Sequence, residues 1–135
     1  MKNLLRLAPV FVFIVSLCSC ADTHSMLWGD NIQLSAKTAV LSANSDSVTF
    51  TTGGESWWLT SVSVDNVYFR LPQDVNPDAA SYTFKQDCFV VERRNKQVLF
   101  IKVEKNLTKS ARSIVVMLQA GDYFDSVVVT QKPMP

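Results

Sequence analysis

From residue 97 to residue 131 the chain reads QVLFIKVEKNLTKSARSIVVMLQAGDYFDSVVVTQ, and its apolar residues recur at every second position. Leu99, Ile101 and Val103 share one parity while Lys102 and Glu104 take the other. Ile114, Val116 and Leu118 repeat the pattern, and so do Val127 and Val129 after the turn Gly121-Asp122. A two-residue period puts alternate side chains on opposite faces of a strand, one toward a core and one toward water. No stretch sustains the 3.6-residue period of an amphipathic helix, so the chain is expected to fold as strands alone.

The rest of the domain follows the same grammar. TAVLSA and SVTFTT flank the polar turn NSDS, and WWLTSVSV follows the pair Gly53-Gly54. VYFRL comes next, and SYTFKQDCFVVERR supplies one or two further strands. Short alternating segments separated by turn residues are the mark of a sandwich or barrel. The expectation is an all-β, immunoglobulin-like β-sandwich of about seven to eight antiparallel strands in roughly a hundred residues. The Cys and Trp spacing of antibody domains is missing.

The first residues obey a different rule. MKNLLRLAPVFVFIVSLCSC carries Lys2 and Arg6, an apolar run from Leu7 to Leu17, then small residues and cysteine. That is the layout of a secretory leader, and its apolar core is too short for a membrane span. Leu17-Cys18-Ser19-Cys20 resembles a bacterial lipobox, in which cleavage falls before the last cysteine and its sulfur receives a diacylglycerol. The organisation expected is a lipoprotein signal peptide over 1–19, a lipidated tether over 20–36 and a sandwich domain over 37–135. Cys20 is the lipidation site, and the partner is a membrane reached through the anchor, with an outer-membrane address in the cell envelope. Several acyl chains together hold firmly, since each buried methylene contributes about 0.8 kcal/mol. Of thirteen Lys and Arg, Lys2 and Arg6 leave with the leader, so eleven face twelve Asp and Glu. A nearly neutral domain has no charge with which to hold nucleic acid. Cys88 is the one cysteine left in the domain and reads as a small buried apolar residue.

Two segments together carry a resemblance. KVEKNLTKSARSIVVMLQAGDYFDSVVVTQKP has a strand ending near Asn106, an Arg112 that opens a strand, a glycine turn and a last strand closing on Val129-x-Gln131. Upstream, VTFTTGGESWW is similar to a strand that ends in Gly-Gly and leads to a core tryptophan. This resembles the BACON domain family (Bacteroidetes-associated carbohydrate-binding, often N-terminal) over about residues 38–133. Many members have Trp near the place of Phe89, where this chain departs from the pattern. The resemblance implies an immunoglobulin-like sandwich exported to the envelope, of a kind often joined to glycan-degrading enzymes. It attaches no fixed residues to sugar binding, and a stand-alone surface protein is expected here.

Catalytic constellations fail one after another. The only histidine, His24, lies in the tether, so neither Cys88 nor any serine has an imidazole base within the domain. A glycosidase needs two facing carboxylates beside a groove, and here Asp and Glu are scattered through turns. Asp74-x-Asn76-x-Asp78 opens like a calcium loop and then puts Ala79 where glycine is required and Lys85 where the bidentate Glu belongs. It reads as a polar loop with Pro72 and Pro77, and zinc finds no ligand set. Arg93 to Lys96, RRNK, reads as a solvated hairpin tip. Asn106-Leu-Thr108 matches a glycosylation sequon, and Asp46-Ser47-Val48 and Asp125-Ser126-Val127 resemble a short O-glycosylation signal. No enzyme, metal or cofactor is expected.

Aromatic rings remain as the means of binding. A flat ring meets the apolar face of a pyranose while nearby polar groups meet its hydroxyls. Neighbours in a strand point oppositely, so one of Trp57 and Trp58 enters the core. The resemblance pairs Trp57 with Leu59 inside and leaves Trp58 outside beside Thr60. The opposite parity groups Trp58 with Val62 and Val64. With Trp57 inward, the candidate sugar-contacting residues are Trp58, Tyr68 and Tyr123. The function expected is a glycan-contacting accessory binding module, and the alternative is a structural spacer or a protein-interaction subunit of a surface complex.

Overall fold

A computed structural model describes residues 29–135. The leader, Cys20 and His24 lie outside the described residues. Among the described residues nine strands form two sheets: β1 (Thr38–Leu41), β2 (Asp46–Thr51), β3 (Trp58–Val64), β4 (Val67–Arg70), β5 (Tyr82–Gln86), β6 (Phe89–Arg94), β7 (Val98–Val103), β8 (Arg112–Ala120) and β9 (Tyr123–Gln131). One sheet runs β1-β9-β8-β3-β4 and the other β2-β7-β6-β5. The fold is an immunoglobulin-like all-β sandwich. It has one strand more than the upper expectation, because SYTFKQDCFVVERR makes a complete hairpin, with Gln86 opposite Phe89.

The expectation of antiparallel strands throughout needs correction at one edge. β1 runs parallel to β9, with Thr38 opposite Val128 and Leu41 opposite Gln131. TAVLSA and SVTFTT therefore do not form a hairpin across NSDS; the chain changes sheets there. Such a corner turns main-chain carbonyls into the interior, where each needs a donor. The fully buried Gln131 supplies two, with Nε2 donating to Ala43 O at 3.3 Å and Asn44 O at 3.1 Å. The Asn106 N–H donates to Ala43 O at 2.8 Å. Arg112 Nη1 in turn donates to Gln131 Oε1 at 3.1 Å, fixing the amide's orientation. The residues that carry the resemblance thus hold the corner where the chain crosses. The Asn106 amide is fully buried and bound to Ser110 O and Lys132 O at 2.9 and 3.1 Å, so the sequon is closed to modification.

The inner faces match the alternation. Leu99, Ile101 and Val103 from one sheet face Ile114, Val116, Leu118, Val127 and Val129 from the other. Full burial of each such side chain contributes roughly 1.5–3 kcal/mol. Phe69 on β4 meets Phe89 on β6 edge-on at 5.5 Å between ring centroids, and Phe84 meets Phe89 at 5.4 Å. Phe89 therefore bridges the sheets from the place where a Trp was expected by resemblance. Cys88 is half-buried and packs on the edge of this core.

The two competing parities of β3 turn out to coexist. Leu59 pairs with Leu118, but Ser61, not Thr60, pairs with Met117. The extra residue is a β-bulge, which shifts the parity by one. Leu59 points inward before it, and Val62 and Val64 point inward after it. The Thr60 hydroxyl donates to Met117 O at 3.2 Å and occupies the widened ladder.

Packing reaches back into the segment expected to be tether. Ile32 is 0% exposed, and Leu34 forms an isolated bridge with Thr52. This docking explains Gly53-Gly54 better than backbone conformation does. Neither glycine has a positive φ, unlike Gly121 at 62° in the β8–β9 turn. Instead Gly54 N donates to Ile32 O at 3.1 Å and Gly53 N to Gln33 O at 3.0 Å. A Cβ on Gly54 would lie 1.9 Å from the main-chain oxygen of Asn31, whereas one on Gly53 would meet first the movable Gln33 amide. Gly54→Ala is expected to destabilise the domain by about 1–3 kcal/mol, and Gly53→Ala by less. Urea melts of the three proteins measure this, and a Gly54→Ala curve overlying the wild type would show that the 30–34 segment does not sit against the glycine.

Candidate functional site

At the end of the sandwich opposite the Gln131 corner, three connections converge: residues 52–57, residues 71–81 and the β6–β7 turn. Trp57 lies just before β3 and is 1% exposed. Its indole Nε1 donates to Thr52 Oγ1 at 2.9 Å, and that hydroxyl donates to Gly54 O at 2.7 Å. The pair of glycines, Thr52 and Trp57 therefore form one closed unit, which leaves Trp58 to begin β3 on the outer parity, half-buried.

Arg93 corrects the expectation of a solvated basic tip. It is 4% exposed, with its guanidinium carbon 4.8 Å from the centroid of the Trp57 ring. Cations over an indole face are attracted by the ring quadrupole, more so when desolvated. Its Nη1 donates to Ala79 O at 2.8 Å and Pro77 O at 3.3 Å, and its Nη2 to Glu55 O. One side chain thereby ties the 71–81 loop to the 52–57 loop. Burial lowers the Arg93 pKa from its ordinary value, with Tyr82 and Asp78 acting in the opposite direction. Among the described residues no carboxylate pairs with it, and its Nε has no hydrogen-bond partner.

The rest of RRNK is divided between structure and surface. Arg94 pairs with Glu92 at 2.6 Å and covers the Phe100 ring at 3.8 Å. Asn95 and Lys96 both have positive φ and make the turn, anchored by Asn95 N to Ser81 Oγ at 2.9 Å. Lys96 reaches within 3.8 Å of the Glu55 carboxylate. Between these groups lies an open cleft of about 210 Å³, walled by Trp57 and Trp58 and edged by Glu55, Asp78, Arg93 and Lys96. Its chemistry is aromatic on one side and of both charge signs on the other.

Tyr82, the first residue of β5, reaches across to β3. The β4 ladder ends at Ser61 opposite Arg70, and farther along β3 the Leu59 N–H donates to Tyr82 Oη at 2.9 Å. Burial raises the Tyr82 pKa, partly offset by that hydrogen bond and by Arg93.

The three candidate rings do not form one platform. Trp58 lies on the cleft wall and at the start of a row on the outer face of the five-stranded sheet, where it pairs with Gln119 and Gln119 with Phe124. Tyr68 is 73% exposed on the same face but belongs to a distant row, opposite Ser63, on edge strand β4. Tyr123 does not lie on that outer face. It pairs with the buried Ala120, shares the inward parity of Val127 and Val129, and packs on the core. Its hydroxyl faces Asp125 at 3.4 Å, and Asp125 holds Lys37 at 2.9 Å. The outward ring of that hairpin is Phe124, 56% exposed. The inward assignment of Val127 and Val129 already carried that signal, since counting back by twos lands on Tyr123. Arg93 carried the same kind of signal, since alternation with Val91 marks it as inward, but its charge argued for solvent.

Among the described residues no group of three or more His, Cys, Asp or Glu side chains is placed to hold a metal ion. In the loop that opens like a calcium site, Asn76 Oδ1 accepts the Asp78 N–H at 3.0 Å, which is a turn.

No family model matches the chain. No curated protein matches it significantly. Among solved structures, an NMR structure of a protein from Bacteroides thetaiotaomicron is similar with a TM-score of 0.61 at 19% identity, covering 78% of this chain and 90% of that one. That likeness is one of fold. A structure of WR4, a C. elegans MSP family member, aligns with a TM-score of 0.35 at 14% identity over 78% of this chain and all of that one, too distant to inform the site.

Proposed function

We propose that the chain is a lipid-anchored, non-enzymatic protein of the bacterial cell envelope whose sandwich domain contacts glycans at the Trp58 cleft. The observation that carries this reading is the half-exposed Trp58 ring beside a cleft edged by carboxylates and amines. Sugar recognition asks for an apolar face and several hydrogen-bonding groups at its rim. The resemblance to the BACON family over residues 38–133 supports the same setting, and the lipobox at Cys20 supplies the anchor. The sole histidine of the chain lies outside the domain, which supports binding without catalysis.

Titration of the purified chain with plant and host oligosaccharides, followed by calorimetry, tests the binding. Trp58→Ala is expected to weaken a measured affinity about tenfold or more while the melting curve stays close to wild type, because the ring is not part of the buried core. Absence of heat across the panel would remove the glycan reading. For the anchor, Cys20→Ser is expected to move the protein from the membrane fraction to the soluble fraction, and unchanged fractionation would sink it.

A second reading has its own observation. Tyr68, Phe124 and Val40 are exposed on the outer face of the five-stranded sheet, around the half-buried Val115, Met117 and Val128. Apolar residues gathered on one face mark protein contact surfaces. On this reading the domain is an interaction subunit of a surface complex. Crosslinking in intact membranes should then give a defined adduct that Phe124→Ser abolishes, and an adduct unaffected by that change would place the contact elsewhere.

A further inference from the structure

The cleft holds a buried cation that no carboxylate of the described residues pairs with directly. A guanidinium carries five N–H donors. Three of those on Arg93 meet main-chain oxygens, of Pro77, Ala79 and Glu55, and these are neutral acceptors. Two donors are left, one on Nε and one on Nη2, and Nε is both shut from solvent and without an acceptor. An unpaired buried donor is costly, and a buried cation without a counter-charge more so. Nε lies on the edge it shares with Nη2, the side-on edge along which a guanidinium meets a carboxylate, and its N–H there is unpartnered.

We infer that this edge, with Lys96 at the rim, is the seat for the carboxylate of an acidic sugar, a hexuronic acid unit whose ring stacks on Trp58. The inference rests on the glycan reading of the same cleft and specifies its ligand. Four observations converge on that chemistry. Arg93 offers an unpartnered Nε–H, and no carboxylate of the described residues pairs with its guanidinium. Lys96 adds a second positive charge at the mouth, where its tie to Glu55 spans 3.8 Å and is exposed. Glu55 and Asp78 border the same cleft, so a densely charged anion such as a phosphate or sulfate cluster meets repulsion while the hydroxyls of a sugar find acceptors. The volume of about 210 Å³ falls below the ~300–1,000 Å³ of pockets that enclose drug-sized ligands, which suits one ring of a chain and not an engulfed oligomer. Nε is shut from solvent, so its full engagement requires a small local opening of the loops that Arg93 ties together.

Binding of trigalacturonic acid and of its methyl ester to the full chain in detergent micelles tests the assignment. The two share ring and linkage and differ in charge. The acid is expected to bind about tenfold more tightly, the scale of one charge-assisted hydrogen bond. Arg93→Lys keeps the charge and loses the guanidinium edge, and it should erase most of that preference. Lys96→Ala, a surface change that leaves the fold intact, should reduce it about two- to fivefold. In side-chain amide spectra, one arginine Nε–H signal that is missing from Arg93→Lys should shift when the acid is added. Should Arg93→Lys unfold, the Lys96→Ala ratio still decides. Equal affinity for acid and ester overturns this inference and leaves the glycan reading standing, whereas silence from both, and from the neutral panel, overturns the two together. Equally tight binding of a short peptide ending in Glu would overturn the assignment to a sugar.

Discussion

A sandwich must carry its chain between two sheets at both ends without leaving buried main-chain groups dry, and this domain meets that demand in two unlike ways. At the β1–β2 corner the donors are neutral amides. Gln131 and Asn106 satisfy the carbonyls of Ala43 and Asn44, and Arg112 meets Gln131 at the solvent margin. At the opposite end the carbonyls of Glu55, Pro77 and Ala79 are held by one buried guanidinium. Neutral amides complete a corner and leave nothing over. A guanidinium brings a charge and two surplus donors into the interior. A hydrogen-bonding task alone did not demand a cation there, and the surplus is what distinguishes this end chemically from the other.

The strand grammar was legible because alternation is dictated by the pleat. Wherever a strand keeps its ladder regular, as β7, β8 and β9 do, the inward residues are those the sequence pattern marks. Failures occurred where a local event changed the count. The bulge at Thr60 merged two parities that looked exclusive, and no composition signal announces an extra residue in a strand that reads evenly. Ile32 looked like an isolated apolar residue in a polar stretch, and only the close approach at Gly54 shows that it is a core residue. The glycine pair was visible, but glycines that make room look the same in sequence as glycines that turn.

Half of the candidate site was legible, for the same reason. Trp58 follows from Trp57 being inside, and Trp57 is inside because an indole with its N–H paired to Thr52 can be buried without loss. Phe124 was within reach of the pattern, since the parity of Val127 and Val129 puts Tyr123 inward and Phe124 outward. Parity, not polarity, decided the matter. Arg93 was misjudged because charge is normally a sound guide to exposure. It fails where two neighbouring loops present three carbonyls to the same point, which is a property of the assembled ends of strands far apart in sequence.

Placing the two tryptophans next to each other gives the cleft a mechanical property as well as a chemical one. Trp57 is fixed by Thr52 on its edge and by Arg93 over its face, and the bulge holds β3 just beyond Leu59. Trp58 therefore emerges from a segment whose neighbours on both sides are held by hydrogen bonds and packing. A ligand stacking on that ring has little backbone left to order, so more of its contact energy appears as affinity. The same coupling runs in reverse. A carboxylate that engages Arg93 also bears on the cation over Trp57, so an occupied cleft ties the 52–57 loop, the 71–81 loop and the first residues of β3 more closely together. Ligand binding at this end and rigidity of this end are then one property of the Trp57–Arg93 stack.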